Sequence, residues 1–339
     1  MRRLGIALSL LALATGCERI MDRVAERALQ RIDSRVLTSP DLQVVLCGTG
    51  SPLADPERAS ACTAVIAGGH FFLVDAGPGS WKNVDLANLP TGRLEGVFLT
   101  HFHSDHIGDL GEAETQSWIA GRMQPLDLYG PPGVARIAGG LAQVYAGDVD
   151  ARVAHHGDAY MPRAAATFAP HETALGPEPD ASAVVYDRDG LRVTMFRVDH
   201  RPVEPAVGYR FDWKGRAVVF SGDTRKSTSV VEHAKGADLL FHEALDPALV
   251  GRAAAAAKRL GLDRMAKLAG DIETYHTSPR EAGEVARDAG VPHLVLTHLV
   301  PAPRNVLMER SFVHAVHESG YRGETTLGAD GMRFALAPR

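Results

Sequence analysis

Between Leu99 and Asp109 the chain reads LTHFHSDHIGD, which sets His101, His103, Asp105 and His106 directly behind an apolar run. Neutral imidazole nitrogen and carboxylate oxygen are ligand atoms for zinc and similar divalent ions, and a catalytic site built from them keeps one position open for water. A strand that ends and turns sharply into a helix would gather all four side chains into one small volume. They are more than a single ion needs, so two ions are expected, with further ligands arriving from distant parts of the chain. The chemistry this predicts is hydrolysis. Two divalent ions about 3.5 to 4 Å apart lower the pKa of a bridging water, giving hydroxide at neutral pH, and polarise the bond under attack.

The elements that must position these residues alternate along the sequence. Short apolar runs that stop at Gly, Pro or polar clusters read as buried strands at Val44–Leu46, Phe71–Val74, Gly96–Leu99 and Leu126–Tyr129. A second set follows at Leu191–Val198, Val207–Phe211, Ala217–Phe220, Leu239–Phe241 and Leu294–Leu296. Helical spacing fits Ile107–Ala120, Val134–Tyr145, Pro279–Ala289 and Val306–His317. Such alternation predicts an α/β domain with helices outside its sheets, running from residue 41 to 339. The segment from His155 to Pro179, rich in Pro, His and Ala, reads as a long surface loop and a candidate substrate contact.

The chain has 339 residues, 45% hydrophobic and 23% charged, enough for a large core. A net charge of -5 gives no global attraction to nucleic acid. Arg2 and Arg3 precede an apolar stretch from Leu4 to Ala14, too short to span a bilayer but suited to an export signal. Leu13–Cys17 resembles a bacterial lipoprotein signal, which implies cleavage after residue 16, acylation of Cys17 and a lipid-anchored place in the periplasm or cell envelope. An ordinary secretory signal is the alternative. Residues 17–40 read as an amphipathic helix, in which Ile20, Met21, Val24, Leu29 and Ile32 share one face; it is a spacer or is laid on the core, with dimerisation or membrane contact as further options. Cys47 and Cys62 form either a disulfide or two buried thiols.

THFHSDH resembles the signature of the metallo-β-lactamase superfamily of di-metal hydrolases. The other family segments follow in order: LCGTGSP at Leu46–Pro52, LVDAGPG at Leu73–Gly79, VDHRPVEPAVGYR at Val198–Arg210, FSGDT at Phe220–Thr224 and LTHLVP at Leu296–Pro301. FHEAL at Phe241–Leu245 and the segment from His276 to Val291 are similar to the ribonuclease Z and arylsulfatase-like branch. The resemblance implies a four-layer αββα sandwich and two Zn2+ ions, with Mn2+ as a substitute. The first ion would be held by His101, His103 and His200, and the second by Asp105, His106 and His298, with Asp223 between them. It further implies that Asp105 accepts a proton from water, that His276 protonates the leaving group and that Glu243 orients His276. Leu245 departs from the family, which usually has threonine there. The remaining histidines that match no motif, among them His70, His155, His171 and His293, are expected at the surface or in packing.

Ribonuclease Z enzymes usually carry a long tRNA-gripping arm between the Gly-Tyr-Arg and Gly-Asp-Thr segments. Here Phe211–Gly215 leads straight into RAVVFSGDT, a tight hairpin. With the acidic balance and the export signal, this favours a small-molecule ester, a phosphodiester or aryl sulfate, over tRNA. A lactone or β-lactam substrate, or a non-enzymatic zinc-binding lipoprotein, are the alternatives. The oligomeric state is open, with a homodimer as one option.

Overall fold

The computed structural model describes residues 20–27 and 30–339. Two seven-stranded sheets lie face to face. The first runs in the order β14-β1-β2-β3-β4-β5-β6, with β1 at Leu42–Gly48, β2 at Cys62–Ala67, β3 at His70–Val74, β4 at Gly96–Phe98, β5 at Leu126–Gly130, β6 at Phe168–Glu172 and β14 at Arg333–Leu336. The second runs β13-β12-β11-β10-β9-β8-β7, with β7 at Ser182–Arg188, β8 at Leu191–Arg197, β9 at Val207–Trp213, β10 at Arg216–Phe220, β11 at Leu239–Leu245, β12 at His293–Val300 and β13 at Glu324–Leu327.

Strand periodicity explains why short runs such as VVLC are apolar throughout. Val44 and Leu46 of β1 face the second sheet, joining Phe72 and Phe98 of their own sheet and Tyr209, Phe211 and Phe241 of the second in one core. Val45 and Cys47 point the other way, into a core shared with helices. That outer layer consists of α2 (Ser80–Leu86), α4 (Leu110–Ile119) and α5 (Val134–His156), which bury Trp81, Val84, Leu110, Ala113 and Val134. On the opposite face α6 (Thr228–Ala234), α9 (Pro279–Ala289) and α10 (Val306–Glu318) bury Val230, Val285 and Phe312. The result is the expected four-layer αββα sandwich. β3 through β6 pair in parallel, as do β10 through β13, so the intervening segments must cross over the sheet faces, which is where these helices lie.

Several expectations change. Helix α5 continues to His156 and ends at Gly157, whose φ of 84° suits glycine; a 3-10 turn (Arg163–Ala165) and edge strand β6 then interrupt the supposed loop from His155 to Pro179. Few large apolar residues mark the second half of α5, which is mostly exposed, so hydrophobic spacing did not reveal it. Residues 20–27 are helical (α1), but Ile20, Met21 and Val24 are exposed, and α1 does not lie on the core. The proposed signal and Cys17 fall outside the described residues. The hairpin at Phe211–Arg216 is as tight as expected.

Two long-range ties close the first sheet. β14 pairs antiparallel with β1, and just before it Asp330 accepts hydrogen bonds from the Thr49 amide (2.9 Å) and hydroxyl (2.7 Å), the Ala59 amide (2.6 Å) and Asn83 (2.8 Å). Cys47 and Cys62 form a disulfide with a Cα–Cα distance of 5.0 Å, stapling β1 to β2. The bond closes a segment with a sequence separation of 15, for which the lost freedom of the unfolded chain is worth about 3 kcal/mol. Cys47→Ala with Cys62→Ala is therefore expected to lower unfolding stability by about that amount. Urea denaturation of the oxidised protein and the variant checks it; equal midpoints and slopes would remove the staple from the account.

Candidate active site

The LTHFHSDH segment takes the conformation its spacing predicts. β4 ends at Phe98, the chain turns through His101 and His103, and α3 (Ser104–Ile107) carries Asp105 and His106 in its first turn. Gly77 makes room for this turn: a Cβ there would sit 2.0 Å from the Asp105 carbonyl oxygen. The other candidates come from the same rim of the second sheet. His200 follows β8 and Asp223 follows β10. The turn into Asp223 passes through Gly222, which has φ +61° and packs so closely that a Cβ would lie 2.6 Å from the Val207 oxygen.

His298 is not at a strand end. Thr297 pairs with Glu243 and Leu299 with Ala244, so His298 is the extra residue of a bulge within β12, held at φ 45°. The bulge turns its ring toward the site. The Leu299 amide, which donates to the Thr49 oxygen at 2.9 Å, anchors the distortion to the end of β1.

These residues converge on one carboxylate. Around Asp223 Oδ2 stand His298 Nε2 at 3.4 Å, His106 Nε2 at 3.5 Å, His101 Nε2 and His200 Nε2 at 3.9 Å each, and His276 Nδ1 at 4.0 Å. His101, His103, His200 and Asp223 present ligand atoms all within 4.8 Å of one another, as do Asp105, His106 and His298. Atoms bound tetrahedrally to one zinc ion lie about 3.3 Å apart. His101, His106 and His200 Nε2 and Asp223 Oδ1 are buried without a hydrogen-bond partner. Several orphaned polar atoms in one buried volume would cost far too much to leave unmet, and a divalent cation meets them all at once. The donor set therefore fits a divalent metal.

The rings differ in charge: against the effect of burial, the Asp223 carboxylate raises the pKa of His106 and His298, whose protons a bound metal would displace. Burial pushes the His101 ring well below its ordinary pKa, with the neighbouring His106 adding to the effect, which favours the neutral form a metal requires. Burial alone would raise Asp223, yet His298 and His106 outweigh it and hold the carboxyl well below the usual range.

An outer ring of hydrogen bonds fixes the rings. Asp75, with φ 59°, accepts from the Thr100 amide (2.9 Å), the Thr100 hydroxyl (2.8 Å) and His106 Nδ1 (2.8 Å). His200 Nδ1 donates to the Tyr275 carbonyl at 3.0 Å. From β9, the Tyr209 hydroxyl donates to the Leu99 oxygen at 2.7 Å, joining the second sheet to the histidine turn.

Much of this chain matches the profile described as "Beta-lactamase superfamily domain", which spans residues 70–299. It is 36% identical over 301 residues to a protein named ribonuclease Z from Mycobacterium bovis, an alignment covering 88% of this chain and 99% of that one. The chain belongs to the metallo-β-lactamase superfamily, in its ribonuclease Z branch. A ribonuclease Z from Mycolicibacterium paratuberculosis is 38% identical over 264 residues, covering 77% of this chain and 87% of that one. Among solved structures, human tRNase Z, short form, superposes with a TM-score of 0.62 at 24% identity, covering 87% of this chain and 99% of that one. A metallo-β-lactamase fold protein from Bacillus subtilis gives 0.59 at 19% identity, with coverages of 87% and 99%. These two likenesses concern the fold. As a member of this branch, the chain is a metal-dependent hydrolase, not a zinc-binding protein without activity.

The relatives overturn the expectation of a small ester substrate and the argument against tRNA. The M. bovis ribonuclease Z aligns over nearly its whole length with this chain, whose corresponding hairpin is tight, leaving no room for a long arm there. Absence of the arm therefore does not separate this chain from proteins bearing that name. Net charge was no better guide, because it averages over surfaces far from the site.

The structure brings His276 and Glu243 to the edge of the same cluster, with His276 Nδ1 4.0 Å from Asp223 Oδ2. His276 Nδ1 lies 2.9 Å from Glu243 Oε1, which also accepts the amides of Thr224 (3.0 Å) and Thr277 (3.2 Å). Burial would lower the His276 pKa, but the Glu243 carboxylate, with help from Asp223, raises it to about 9. Leu245 packs with Val250 and Val300 in a small apolar cluster. Asp109 lies away from the ligands and accepts from the Trp81 amide at the start of α2. None of residues 155–179 lines the cavity in front of the site.

Asp75, Thr100 and Tyr275 had no assigned role in the sequence reading. Asp75 was detectable as an acid at the end of a buried apolar strand, where an unpaired carboxylate is rare. The Tyr275 carbonyl left no signal, because any residue supplies one. Asp75→Asn keeps the shape but cannot accept both from Thr100 and from the His106 ring as the carboxylate does. It is expected to weaken metal affinity about 10- to 100-fold, measured by competition with a chromophoric chelator, with the far-ultraviolet circular dichroism unchanged.

Proposed function

We propose that this protein is a ribonuclease that hydrolyses a phosphodiester bond of tRNA. The observation that carries the reading is the 36% identity to a protein named ribonuclease Z over 88% of this chain and 99% of that one, together with a buried, unpartnered ligand set. In this reading His101, His103 and His200 hold one zinc ion, Asp105, His106 and His298 a second, and Asp223 lies between the two. Bound there, the ions supply Lewis acidity and an activated water at neutral pH.

The chain's own residues supply the rest. Asp105 Oδ2 lies 3.1 Å from His298 Nε2, a separation suited to two ligands of one ion, and it lines the open cavity, where its carboxylate can orient a water or take its proton. His276 is fixed through Nδ1 by Glu243, which leaves Nε2 to offer a proton to the oxygen that departs. Glu243 is a positioning residue: the two amide donors hold its carboxylate and so aim the ring. For the compartment, the Cys47–Cys62 bond supports export, since such bonds persist in oxidising surroundings. The compartment governs which RNA reaches the site and leaves the chemistry unchanged.

The zinc-reconstituted protein is expected to cut a tRNA precursor transcript, to carry about two ions per chain by elemental analysis, and to lose cleavage on chelation. His276→Ala should lower cleavage about 10²- to 10⁴-fold with metal content retained. A reconstituted wild type that leaves the transcript intact would sink the reading. For the compartment, fractionation of cells producing the full chain is expected to find it outside the cytosol with Cys47 and Cys62 oxidised. Cytosolic protein with both thiols free would refute export.

A further inference from the structure

Between Leu245 and His276 the chain leaves the sheet to form a helical hairpin, α7 (Pro247–Arg259) and α8 (Asp263–Ile272). Local sequence dictates the first helix. Asp246 caps it by accepting the Ala248 and Leu249 amides, Pro247 occupies its first turn, and the run Ala253–Ala257 is strongly helix-forming. The hairpin is rooted on the sheet by the cluster of Leu245, Val250 and Val300, against which Ala269 and Ile272 pack. Leu245, the departure from the family's threonine, is thus part of its footing.

Beyond that footing α8 buries no residue. Met265, Leu268, Ala269 and Ile272 follow helical spacing on one face, and that face borders a cavity of about 390 Å³ whose other wall holds His103, Asp105, Asp223, His276 and His298. Met265 and Leu268 are 60% and 52% exposed, and Leu53 across the cavity is 64% exposed. A group attached to a bond broken at Asp223 and His276 has this apolar wall directly beside it.

The hairpin is also basic within an acidic chain. It contains Arg252, Lys258, Arg259, Arg264 and Lys267 against Asp263 and Asp271. Lys267 is paired with Asp271 at 2.8 Å, whereas Arg252, Lys258, Arg259 and Arg264 are exposed and have no carboxylate partner among the described residues. Arg252 adjoins Ala253 and Arg264 adjoins Met265, so each lies about 100° round its helix from a cavity-lining residue. Arg259 shares a face with Arg252, seven residues before it. Apolar side chains that accept a base face, flanked by free cations, are the pattern of single-stranded nucleic-acid binding.

We propose that the α7–α8 hairpin is an RNA-gripping element: Met265 and Leu268 receive a nucleobase next to the scissile phosphate, and Arg252, Lys258, Arg259 and Arg264 contact backbone phosphates. This rests on the ribonuclease reading and assigns to the hairpin the grip that no inserted arm provides. Four lost phosphate contacts on a single strand would flatten the slope of log affinity against log salt by about 3.

The test uses the full chain reconstituted with zinc and a fluorescein-labelled tRNA precursor. The variant Arg252→Gln/Lys258→Gln/Arg259→Gln/Arg264→Gln, in which glutamine preserves helix propensity, is expected to bind at least tenfold more weakly with the flatter salt dependence. Met265→Ser/Leu268→Ser is expected to raise KM for the RNA with kcat nearly unchanged. Both variants should keep wild-type metal content and wild-type far-ultraviolet circular dichroism, which report a folded, loaded site. Cleavage of the precursor by wild type with unchanged affinity, KM and salt slope in both variants would overturn the hairpin and leave the ribonuclease reading standing. Failure of wild type to cleave the precursor overturns that reading itself. If the wild-type hairpin binds anionic phospholipid vesicles and the quadruple variant does not, while RNA affinity is equal in both, the hairpin is a membrane element and the proposal is wrong.

Discussion

A carboxylate with an unpartnered oxygen sits at the centre of this protein, buried, with five imidazole rings directed at it. Asp223 could not be kept there by hydrogen bonds alone: Oδ1 has no donor, and the imidazole nitrogens around Oδ2 mostly stand too far away to donate well. Such a concentration of polar atoms is tolerable when a cation occupies the space between them. The surrounding architecture can be understood as what holds this arrangement open. Strand ends of both sheets arrive at one rim, Gly77 and Gly222 allow backbones to close on it, and a bulge in β12 redirects His298 into it. Asp75 and His298 adopt left-handed backbone conformations that L residues seldom take, and both belong to the site or its immediate support.

The part of this arrangement legible in the sequence was the part governed by local rules. His101 through His106 could be placed at a strand-to-helix turn because an apolar run stops at Thr100 and a helical pattern begins at Ile107. His200, Asp223 and His298 were found through their family segments, and no spacing rule would have assembled them. The bulge at His298 was invisible, since Thr297 and Leu299 look like ordinary strand residues. Helix α5 overran its expected end because an exposed helix needs few apolar positions to persist. Helices α7 and α8 were overlooked for a related reason: an alanine run has helix propensity without hydrophobic periodicity.

Substrate was read less well than metal, and the cause is physical. Ligands are fixed by coordination chemistry, which restricts both residue type and position. Selection among phosphodiesters depends on surfaces next to the site, which many sequences can form. A missing arm is a poor guide to substrate when another part of the cavity wall carries exposed apolar side chains with cations beside it.

The closure of the first sheet has a consequence for biosynthesis. β1 is among the earliest strands made, yet its free edge is covered by β14, and the backbone around Thr49 and Ala59 is gathered by Asp330. Until those late residues emerge, a nascent chain presents an apolar strand with unmet amides and carbonyls along one side, a template for pairing with a neighbouring chain. The amino-terminal half can therefore collapse early but cannot be sealed early, and its passage from synthesis to native state depends on some other agent or on speed to keep that edge unoccupied.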